Sequence, residues 1–404
     1  MASTRDATLL LSTRALRSFG DGFVSVLLAR FLTELGFSGV RVGAVATATL
    51  LGTAMATLLV GAIADRFGRR RMLFAGTLLA AGTGLALASS SAFLPILLIA
   101  FAGTINPTAG DVSVFLPVEQ AILPQTVDAG QRTRLFARYN LAGALAAAAG
   151  ALFAGVPSLL HRWVGWDVLD VLRAMFVLYA ALALVNLSAY RALSPAVESA
   201  VPARGAPLHR SRGIVLRLSG LFALDAFAGG FVVQSMVALW LFERYGLSLG
   251  QAALILSAAG VCTAASFLVA ARVAERFGLI NTMVFTHLPS NVLLMLVPLM
   301  PNVWLAVVVL LARQSLSQMD VPTRQSYTMA VVEPDERAAA ASVTGVARSL
   351  SSSGSPVLAG LLLGATSFGW PLIIGGALKS VYDLLLLAQF RGVRPAEEVV
   401  RVER

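Results

Sequence analysis

Apolar runs of about 18 residues or more recur from one end of this 404-residue chain to the other. Each run is long enough to cross a lipid bilayer as an α-helix, which needs roughly 20 residues. Hydrophobic residues make up 57% of the chain and charged residues only 13%, about half the charged fraction of an ordinary soluble domain. Because helices satisfy their own backbone hydrogen bonds in lipid, this pattern predicts an all-α, multi-pass protein embedded in the bilayer.

Hydropathy predicts about twelve spans, of which the fourth and the tenth are interrupted by prolines and polar residues. The predicted spans are residues 9–33, 41–64, 72–90, 93–115, 135–157, 171–191, 214–242, 250–271, 281–300, 303–322, 338–365 and 369–390.

Arginines are concentrated in every second loop. Clusters begin at Arg66, Arg132, Arg191 and Arg272, whereas the intervening loops are short and nearly uncharged, apart from one of mixed sign at 161–170. Since positively charged loops remain in the cytoplasm, we expect both termini on the cytoplasmic side of the inner membrane. These loops also explain the net charge of +10, so we expect no nucleic-acid partner.

The second half of the chain repeats the first. Leu35-Gly-Phe-Ser38 recurs as Tyr245-Gly-Leu-Ser248, 210 residues later, and Pro117-Val-Glu-Gln120 recurs as Pro322-Thr-Arg-Gln325, 205 residues later. A polar, proline-containing segment separates the two copies. We therefore expect an N-terminal six-helix bundle over residues 1–193, a cytoplasmic linker over 194–212 and a C-terminal bundle over 213–404.

The loop after the second span carries the motif Gly61-Ala-Ile-Ala-Asp65-Arg66-Phe67-Gly68-Arg69-Arg70, and a weaker copy, Glu275-Arg276-Phe277-Gly278, lies one half later. This loop fills every position of the signature G-x-x-x-D-R-x-G-R-R/K of the major facilitator superfamily, which the chain resembles from end to end. The resemblance implies two pseudo-symmetric six-helix bundles, related by an axis along the membrane normal.

The chemistry of the motif fits a turn at the membrane surface. Gly61 lets helices approach closely, Gly68 permits a tight turn, and the Asp65 carboxylate can accept hydrogen bonds from N–H groups or arginines. The resemblance implies that Asp65 and Arg66 help to latch the halves in the outward-facing state. The alternative is that the loop sets only the topology. In the second copy, Glu275 and Arg276 are a structural relic or a contact between the halves.

Ionisable residues within spans are costly, roughly 2.5–3.5 kcal/mol each, and usually face a cavity or a partner. In the family that the chain resembles, the first, fourth, seventh and tenth helices line the central cavity, which selects most of the candidates for a substrate or proton pathway. The candidates are Asp21, Asp111, Asp225, Gln234, Arg313, Asp320 and Arg348.

Structural interpretations stay open for several charges. Arg17 and Asp21 are spaced for a local ion pair, and so are Lys379 and Asp383 on the last span. Arg313 has the alternative role of partner to an acid on a facing helix. Glu119 and Arg324 occupy equivalent positions in the two halves, and their opposite charges suggest a contact between the halves or with a loop.

These features predict a secondary transporter that moves a small solute, cationic or amphiphilic, by alternating access, as an exporter coupled to protons. Asp21 and Asp225 are the candidate protonation sites, with Arg313 as a fixed countercharge. An uptake symporter or a facilitator of the same fold is the alternative. We expect a monomer without cofactor or metal.

Other classes of protein fit less well. The only lysine, Lys379, lacks the glycine that a phosphate-binding loop places before it, and the protease motif G-x-G-D fails at both Asp21 and Asp111. A non-transporting receptor or assembly factor on the same fold stays open.

Overall fold

The computed structural model describes residues 4–108, 113–127, 132–198, 208–333 and 336–393, and these ranges are helical throughout apart from short connections. The helices are α1 (Thr4–Glu34), α2 (Gly39–Phe67), α3 (Arg69–Ser89), α4 (Phe93–Ala102), α5 (Leu116–Ile122), α6 (Arg132–Phe153), α7 (Val156–Val164), α8 (Val168–Arg191), α9 (Arg212–Gly230), α10 (Gln234–Tyr245), α11 (Leu249–Phe277), α12 (Leu279–Leu296), α13 (Val303–Ser317), α14 (Asp320–Ala330), α15 (Arg337–Ala365) and α16 (Trp370–Phe390). The prediction of an all-α fold is confirmed.

Eight segments of the described chain are long and apolar enough to cross a membrane by themselves. The predicted spans that fall short are α1, α4 with α5, α13 with α14, and α15, and these contain the charges or the breaks in the backbone. α1, for example, buries Arg17 and Asp21. Neighbouring helices must shield such segments from lipid, so the polar spans belong to the interior of the protein.

Three spans are broken in mid-membrane. α4 ends at Ala102 and α5 begins at Leu116, α9 and α10 are separated by residues 231–233, and α13 and α14 by residues 318–319. Irregular backbone at this depth is tolerated where protein buries it or where it lines a cavity. In the first break, the buried Asn106 Oδ1 accepts hydrogen bonds from the Thr108 N–H at 2.8 Å and hydroxyl at 2.6 Å. The break in the seventh span is a difference from the predicted continuous helix.

The two halves pack against each other chiefly through α2 with α15 and α6 with α11. A Cβ atom added to Gly43 of α2 would lie 2.3 Å from the Pro356 carbonyl oxygen of α15, and one added to Gly260 of α11 would lie 2.9 Å from the Ala148 Cβ of α6. Only small residues allow backbones to approach this closely. Small residues at these two crossings therefore join the halves, whereas Gly61, predicted to allow a close helix approach, has no described neighbour within 4 Å of its Cβ position.

We call the side on which α1 begins and α16 ends the terminal side, and the opposite side the distal side. The Gly43 contact lies in the distal half of the molecule. The described contacts of α2 with α15, at Gly39, Gly43 and Thr47, all lie distally, and towards the terminal side neither Gly61 nor Gly345 has a described neighbour within 4 Å of its Cβ position. We infer from this distribution that the space between the halves is closed distally and open on the terminal side.

The predicted linker is described only at its two ends, at Ser194–Glu198 and from Leu208 onwards. Residues 199–207 lie outside the described residues. The boundaries of the two bundles and of the linker therefore remain predictions.

Candidate functional site

In the C-terminal half, one carboxylate holds three cations. Asp225 on α9 accepts a hydrogen bond from Lys379 Nζ of α16 at 2.6 Å through Oδ1, and from Arg324 of α14 at 3.3 Å and Arg348 of α15 at 3.1 Å through Oδ2. Its side chain is only 4% exposed. Because unpaired charges at this depth are costly, Asp225 ties four helices of the half together.

Arg324 is shared between two acids, since it also donates to Asp320 one turn earlier, at 2.7 Å. Arg313 lies two turns before Asp320 and hydrogen-bonds its neighbour Gln314. No described carboxylate lies within ion-pair distance of Arg313, so the acidic partner proposed for it is not seen. The buried face of α13 and α14 changes from apolar to polar along its length, with Ala306 and Leu310 followed by Ser317, Asp320 and Arg324, and Arg313 is partly buried beside it.

Arg348 is the member of the Asp225 cluster that solvent reaches, with 32% of its side chain exposed. α15 crosses α2 of the other half where the Val357 N–H donates to Thr47 Oγ1 at 3.1 Å. Arg348 lies on the terminal side of this crossing, about 13 Å along the helix. Because a lipid-facing arginine would be costly here, the exposed part of Arg348 faces the space between the halves.

The local ion pair expected between Lys379 and Asp383 does not form. Lys379 reaches across to Asp225, while Asp383 binds His287 at 2.9 Å and Asn291 at 2.8 Å, both on α12. The two residues therefore belong to two different inter-helix contacts. Each residue bonds to a partner on another helix rather than to its one-turn neighbour, because the inter-helix contact also satisfies a buried polar group of that other helix.

The N-terminal half has a second buried polar cluster. Glu119 on α5 accepts two hydrogen bonds from Arg17 of α1, at 2.9 and 2.7 Å, a third from Tyr190 of α8 at 2.7 Å, and a fourth from Tyr139 of α6. Glu119 is completely buried, and the Arg17 guanidinium also lies 4.5 Å from the centre of the Phe115 ring. This bidentate pair joins the first span to the fourth.

The two clusters are related by the internal repeat but have opposite polarity. In the N-terminal half the first span supplies the cation and the fourth supplies Glu119, whereas in the C-terminal half the seventh span supplies Asp225 and the tenth supplies Arg324. The described partners of Glu119 and Arg324 lie within their own halves, and a contact of either residue with a loop or with the other half remains a prediction. Each residue pairs within its own half, because the repeat gives it a partner of opposite charge there.

Asp21 is buried at 2% exposure, one turn beyond Arg17 on α1. The possible Arg17–Asp21 pair is absent, because Arg17 is turned to Glu119 and Tyr190. Within the described ranges, no side chain hydrogen-bonds to Asp21 or pairs with it. Asp21 therefore differs from Asp225, which has three cationic partners.

Two further candidates belong to the broken spans. Gln234 is the first residue of α10 and is partly exposed, beside Ser235, whose N–H donates to the Pro107 carbonyl oxygen of the other half at 3.3 Å. This contact brings the breaks of the fourth and seventh spans together. Asp111 lies outside the described residues.

The signature loop is fastened by an acid that the sequence did not single out. Gly68 ends α2 with a φ of +98°, which suits a residue without a side chain. The Glu198 carboxylate then accepts hydrogen bonds from the backbone N–H groups of Arg69 at 2.6 Å and Arg70 at 3.1 Å. An anion at the start of α3 also suits the helix dipole, so Glu198 attaches the start of the linker to the loop.

Other residues of the motif are placed as follows. Arg70 donates to the Arg191 carbonyl oxygen at 3.0 Å, and the exposed Arg66 lies 5.7 Å from the centre of the Phe67 ring. Only the backbone of Asp65 is described, within α2. The latch role proposed for Asp65 and Arg66 remains a prediction.

The second copy of the motif has the same local geometry. Gly278 joins α11 to α12 with a φ of +82°, and the exposed Arg276 lies 5.5 Å from the Phe277 ring, as Arg66 does from Phe67. The side chain of Glu275 lies outside the described residues. A contact between the halves through Glu275 or Arg276 remains a prediction.

The far end of the linker is fastened in a similar way. Glu336, which precedes α15 and is fully buried, accepts hydrogen bonds from the backbone N–H groups of Arg210 at 2.9 Å and Ser211 at 3.0 Å. Burial favours the neutral acid, but the N–H groups of Ser211 and Arg210 outweigh it and hold the pKa of the carboxyl below its usual range. Glu336 thus remains ionised at neutral pH and anchors the start of α9.

The sequence identified most of the charged residues within the spans but not the polar residues that hydrogen-bond to them. Tyr139, Tyr190, His287 and Asn291 gave no signal, since single polar residues in apolar runs are usually satisfied locally. Glu198 could have been found, because it is one of the few acids close to the arginine-rich loops.

Comparisons with known proteins agree with this fold. The family model of the Major Facilitator Superfamily matches residues 10–288 and 218–403. An uncharacterised membrane protein of Saccharomyces cerevisiae, YJR124C, is 24% identical over 97% of this chain and 95% of its own length.

Solved structures show the same architecture. A bacterial homologue of the human lysosomal transporter Spinster, inward-facing and occupied, has a TM-score of 0.72 at 16% identity, covering 95% of this chain and 96% of its own. The nucleoside transporter NupG has a TM-score of 0.70 at 14% identity, covering 96% and 100%. The human organic anion transporter MFSD10 (TETRAN) has a TM-score of 0.66 at 17% identity, covering 95% and 99%.

These three structures are described as transporters or their homologues, and at these identities they support the fold alone. The family model, in contrast, matches well over half of the chain. This chain therefore belongs to the Major Facilitator Superfamily, and it is a membrane transporter of a solute.

Proposed function

We propose that the protein is a proton-coupled exporter of a small organic solute, which works by alternating access. The observation that carries the coupling is the state of Asp21, a buried intramembrane carboxylate to which no described side chain is bound. Burial without a cationic partner favours the protonated form of a carboxylate. Ionisation would be stabilised only if water or a cation reached the site, as happens when a transporter changes conformation.

Asp225 is a weaker candidate for the proton site than the sequence suggested. Its two oxygens already accept hydrogen bonds from Lys379, Arg324 and Arg348. Nearby cations favour the ionised form of a carboxylate, so Asp225 would stay charged through the cycle. Arg313 is correspondingly unsuited as a countercharge for Asp21, because it lies in the other half.

Water could reach the neighbourhood of Asp21. A small cavity of about 20 Å³, enough for a single water molecule, is lined in part by Arg17, Gly20 and Tyr179. Gly20 precedes Asp21 on α1, and the Tyr179 side chain lies against Gly20. The cavity therefore lies beside the residue that precedes Asp21, although Asp21 itself does not line it.

If the terminal side is cytoplasmic, as the arginines predict, the conformation is open to the cytoplasm. An exporter binds its solute from the cytoplasm in this conformation. The space between the halves is open there and closed distally by contacts such as Gly43 with Pro356. Protons entering from outside would drive the return step. The latch through Asp65 and Arg66 would act in the opposite conformation, where α2 and α15 meet on the terminal side.

The named activities of the similar structures support a small organic solute. One is a nucleoside transporter and another an organic anion transporter. These structural similarities do not identify a particular substrate for this chain, because the sequence identities are only 14% and 17%.

The test uses proteoliposomes with a solute identified by screening an efflux-deficient host. We expect an imposed pH gradient to drive net transport by the wild type and by Asp170→Asn, a control at an exposed acid. Asp21→Asn should lose this net transport but retain exchange of labelled for unlabelled solute, since exchange needs no change in protonation.

Each alternative has its own outcome. Solute that accumulates with the proton, rather than against it, would identify an uptake symporter. Wild-type flux that ignores the pH gradient would leave a facilitator. Gradient-driven transport by Asp21→Asn at the wild-type rate would remove Asp21 from the mechanism, and the absence of flux for every solute would favour a receptor.

A further inference from the structure

The charged cluster of the C-terminal half contains more cations than acids. Its described cations are Arg324, Arg348 and Lys379, and its described carboxylates are Asp225 and Asp320. The predicted preference for a cationic solute counted acids of both halves, including Asp21 and Asp111. In the C-terminal half alone the balance is positive, because Arg324 and Lys379 join the cluster.

The acids are also closed to a cationic ligand. Asp225 is 4% exposed, and both of its oxygens are engaged by Lys379, Arg324 and Arg348. Asp320 is likewise 4% exposed and is bound by Arg324. A cation would have to displace a resident arginine or lysine and leave it buried without a partner, which is costly.

Arg348, in contrast, is open to an anion. One of its nitrogens, Nη1, donates to Asp225 at 3.1 Å, and the side chain is 32% exposed. A guanidinium has five N–H donors, and no second acceptor for Arg348 is found among the described residues. The remaining donors belong to a partly exposed side chain that lies on the terminal side of the crossing of α15 with α2.

We propose that Arg348 binds the carboxylate, sulfonate or phosphate of an organic anion, and that this anion is the transported solute. Asp225 acts as a positioning residue that holds one edge of the guanidinium, while Lys379 and Arg324 keep the site positive. The assignment rests on the proposed transport function but needs no proton coupling. An anionic lipid headgroup offers the same chemistry, and the test separates it from a soluble anion.

The experiment measures thermal stabilisation of the purified full chain in neutral detergent. The probes share one aromatic ring: benzoate, benzenesulfonate and phenyl phosphate as anions, benzylamine as the cation and benzyl alcohol as the neutral compound. We expect at least one anion to stabilise the wild type and neither benzylamine nor benzyl alcohol to do so. Phosphatidylglycerol is added in a separate arm.

Arg348→Gln should raise the half-saturating concentration of the stabilising anion about tenfold or more, which corresponds to one lost charge-assisted hydrogen bond. Arg348→Lys should give an intermediate value, since it keeps the charge but not the fork of donors. Arg391→Gln, at an exposed arginine beyond α16, is the matched control and should behave as the wild type.

The proposal is overturned if no anion stabilises the wild type, if benzylamine does so instead, or if Arg348→Gln and Arg348→Lys respond as the wild type does. Stabilisation by phosphatidylglycerol alone would assign the site to lipid and also overturn it. These results are independent of Asp21, so loss of anion binding and loss of proton coupling are distinguishable.

Discussion

Removal of the Asp225 carboxylate tests whether one acid holds the C-terminal half together. Asp225→Asn takes the counter-ion from Lys379, Arg324 and Arg348 at once. With an effective dielectric constant of about 20, the attraction is about 6 kcal/mol for Lys379 at 2.6 Å and about 5 kcal/mol for each arginine at 3.1 and 3.3 Å, before desolvation. Breaking such a buried pair costs ~3–5 kcal/mol net.

The partner variants separate this reasoning from a general intolerance of mutation. Lys379→Met leaves Asp225 with two arginines, so we expect a smaller loss of about 1–3 kcal/mol. The double variant Asp225→Asn, Lys379→Met removes the cation that Asp225→Asn leaves with no other described partner. The double variant should therefore be more stable than the single variant Asp225→Asn, even though it carries one change more.

The assay follows thermal unfolding of the purified chain in detergent with a thiol-reactive dye at Cys262, the only cysteine. The expected order of apparent melting temperature is wild type, Lys379→Met, the double variant and then Asp225→Asn. Equal melting temperatures for Asp225→Asn and the wild type would refute the central role of Asp225. A double variant no more stable than Asp225→Asn would refute its pairing with Lys379.

Three further predictions concern the linker, the closed distal side and the topology. Glu198→Gln should reduce the free energy of unfolding by about 1 kcal/mol, seen as a small fall in the melting temperature, and should slow transport. A variant with unchanged stability and transport would show that the linker is not attached at Glu198. Gly43→Leu should prevent distal closure and abolish transport, whereas Gly82→Leu, whose Cβ meets no described neighbour within 4 Å, should insert and transport normally. In a Cys262→Ser background, Ser91→Cys should be labelled only from outside the cell and Gly392→Cys only from inside, and the reverse pattern would invert the topology.

The fold was largely predictable because lipid imposes it. Apolar runs of span length, arginines in alternate loops and two copies of one motif together indicate two similar helical bundles. Even the breaks in the fourth and tenth spans had a local cause, in Pro107, Pro117 and Pro322. The break between α9 and α10 contains no proline and depends on the other half, where the Ser235 N–H meets Pro107.

The charges within the spans show where the sequence was insufficient. It identified Asp21, Asp225, Arg313 and Arg348 as unusual, because an ionisable residue in an apolar run stands out whatever its neighbours are. The local pairs that spacing allowed, Arg17 with Asp21 and Lys379 with Asp383, do not form. A buried charge instead takes the partner that neighbouring helices bring within hydrogen-bond distance.

Sequence by itself determined the class of protein, its all-α fold and the motif turn at Gly68, since each depends on local composition or backbone freedom. Tertiary structure alone decided that Asp225 is paired with three cations, that Asp21 has no described partner and that Arg348 keeps 32% of its side chain exposed. The physical reason is that burial and charge pairing depend on atoms far apart in the chain, which only the packing of α9, α14, α15 and α16 brings together.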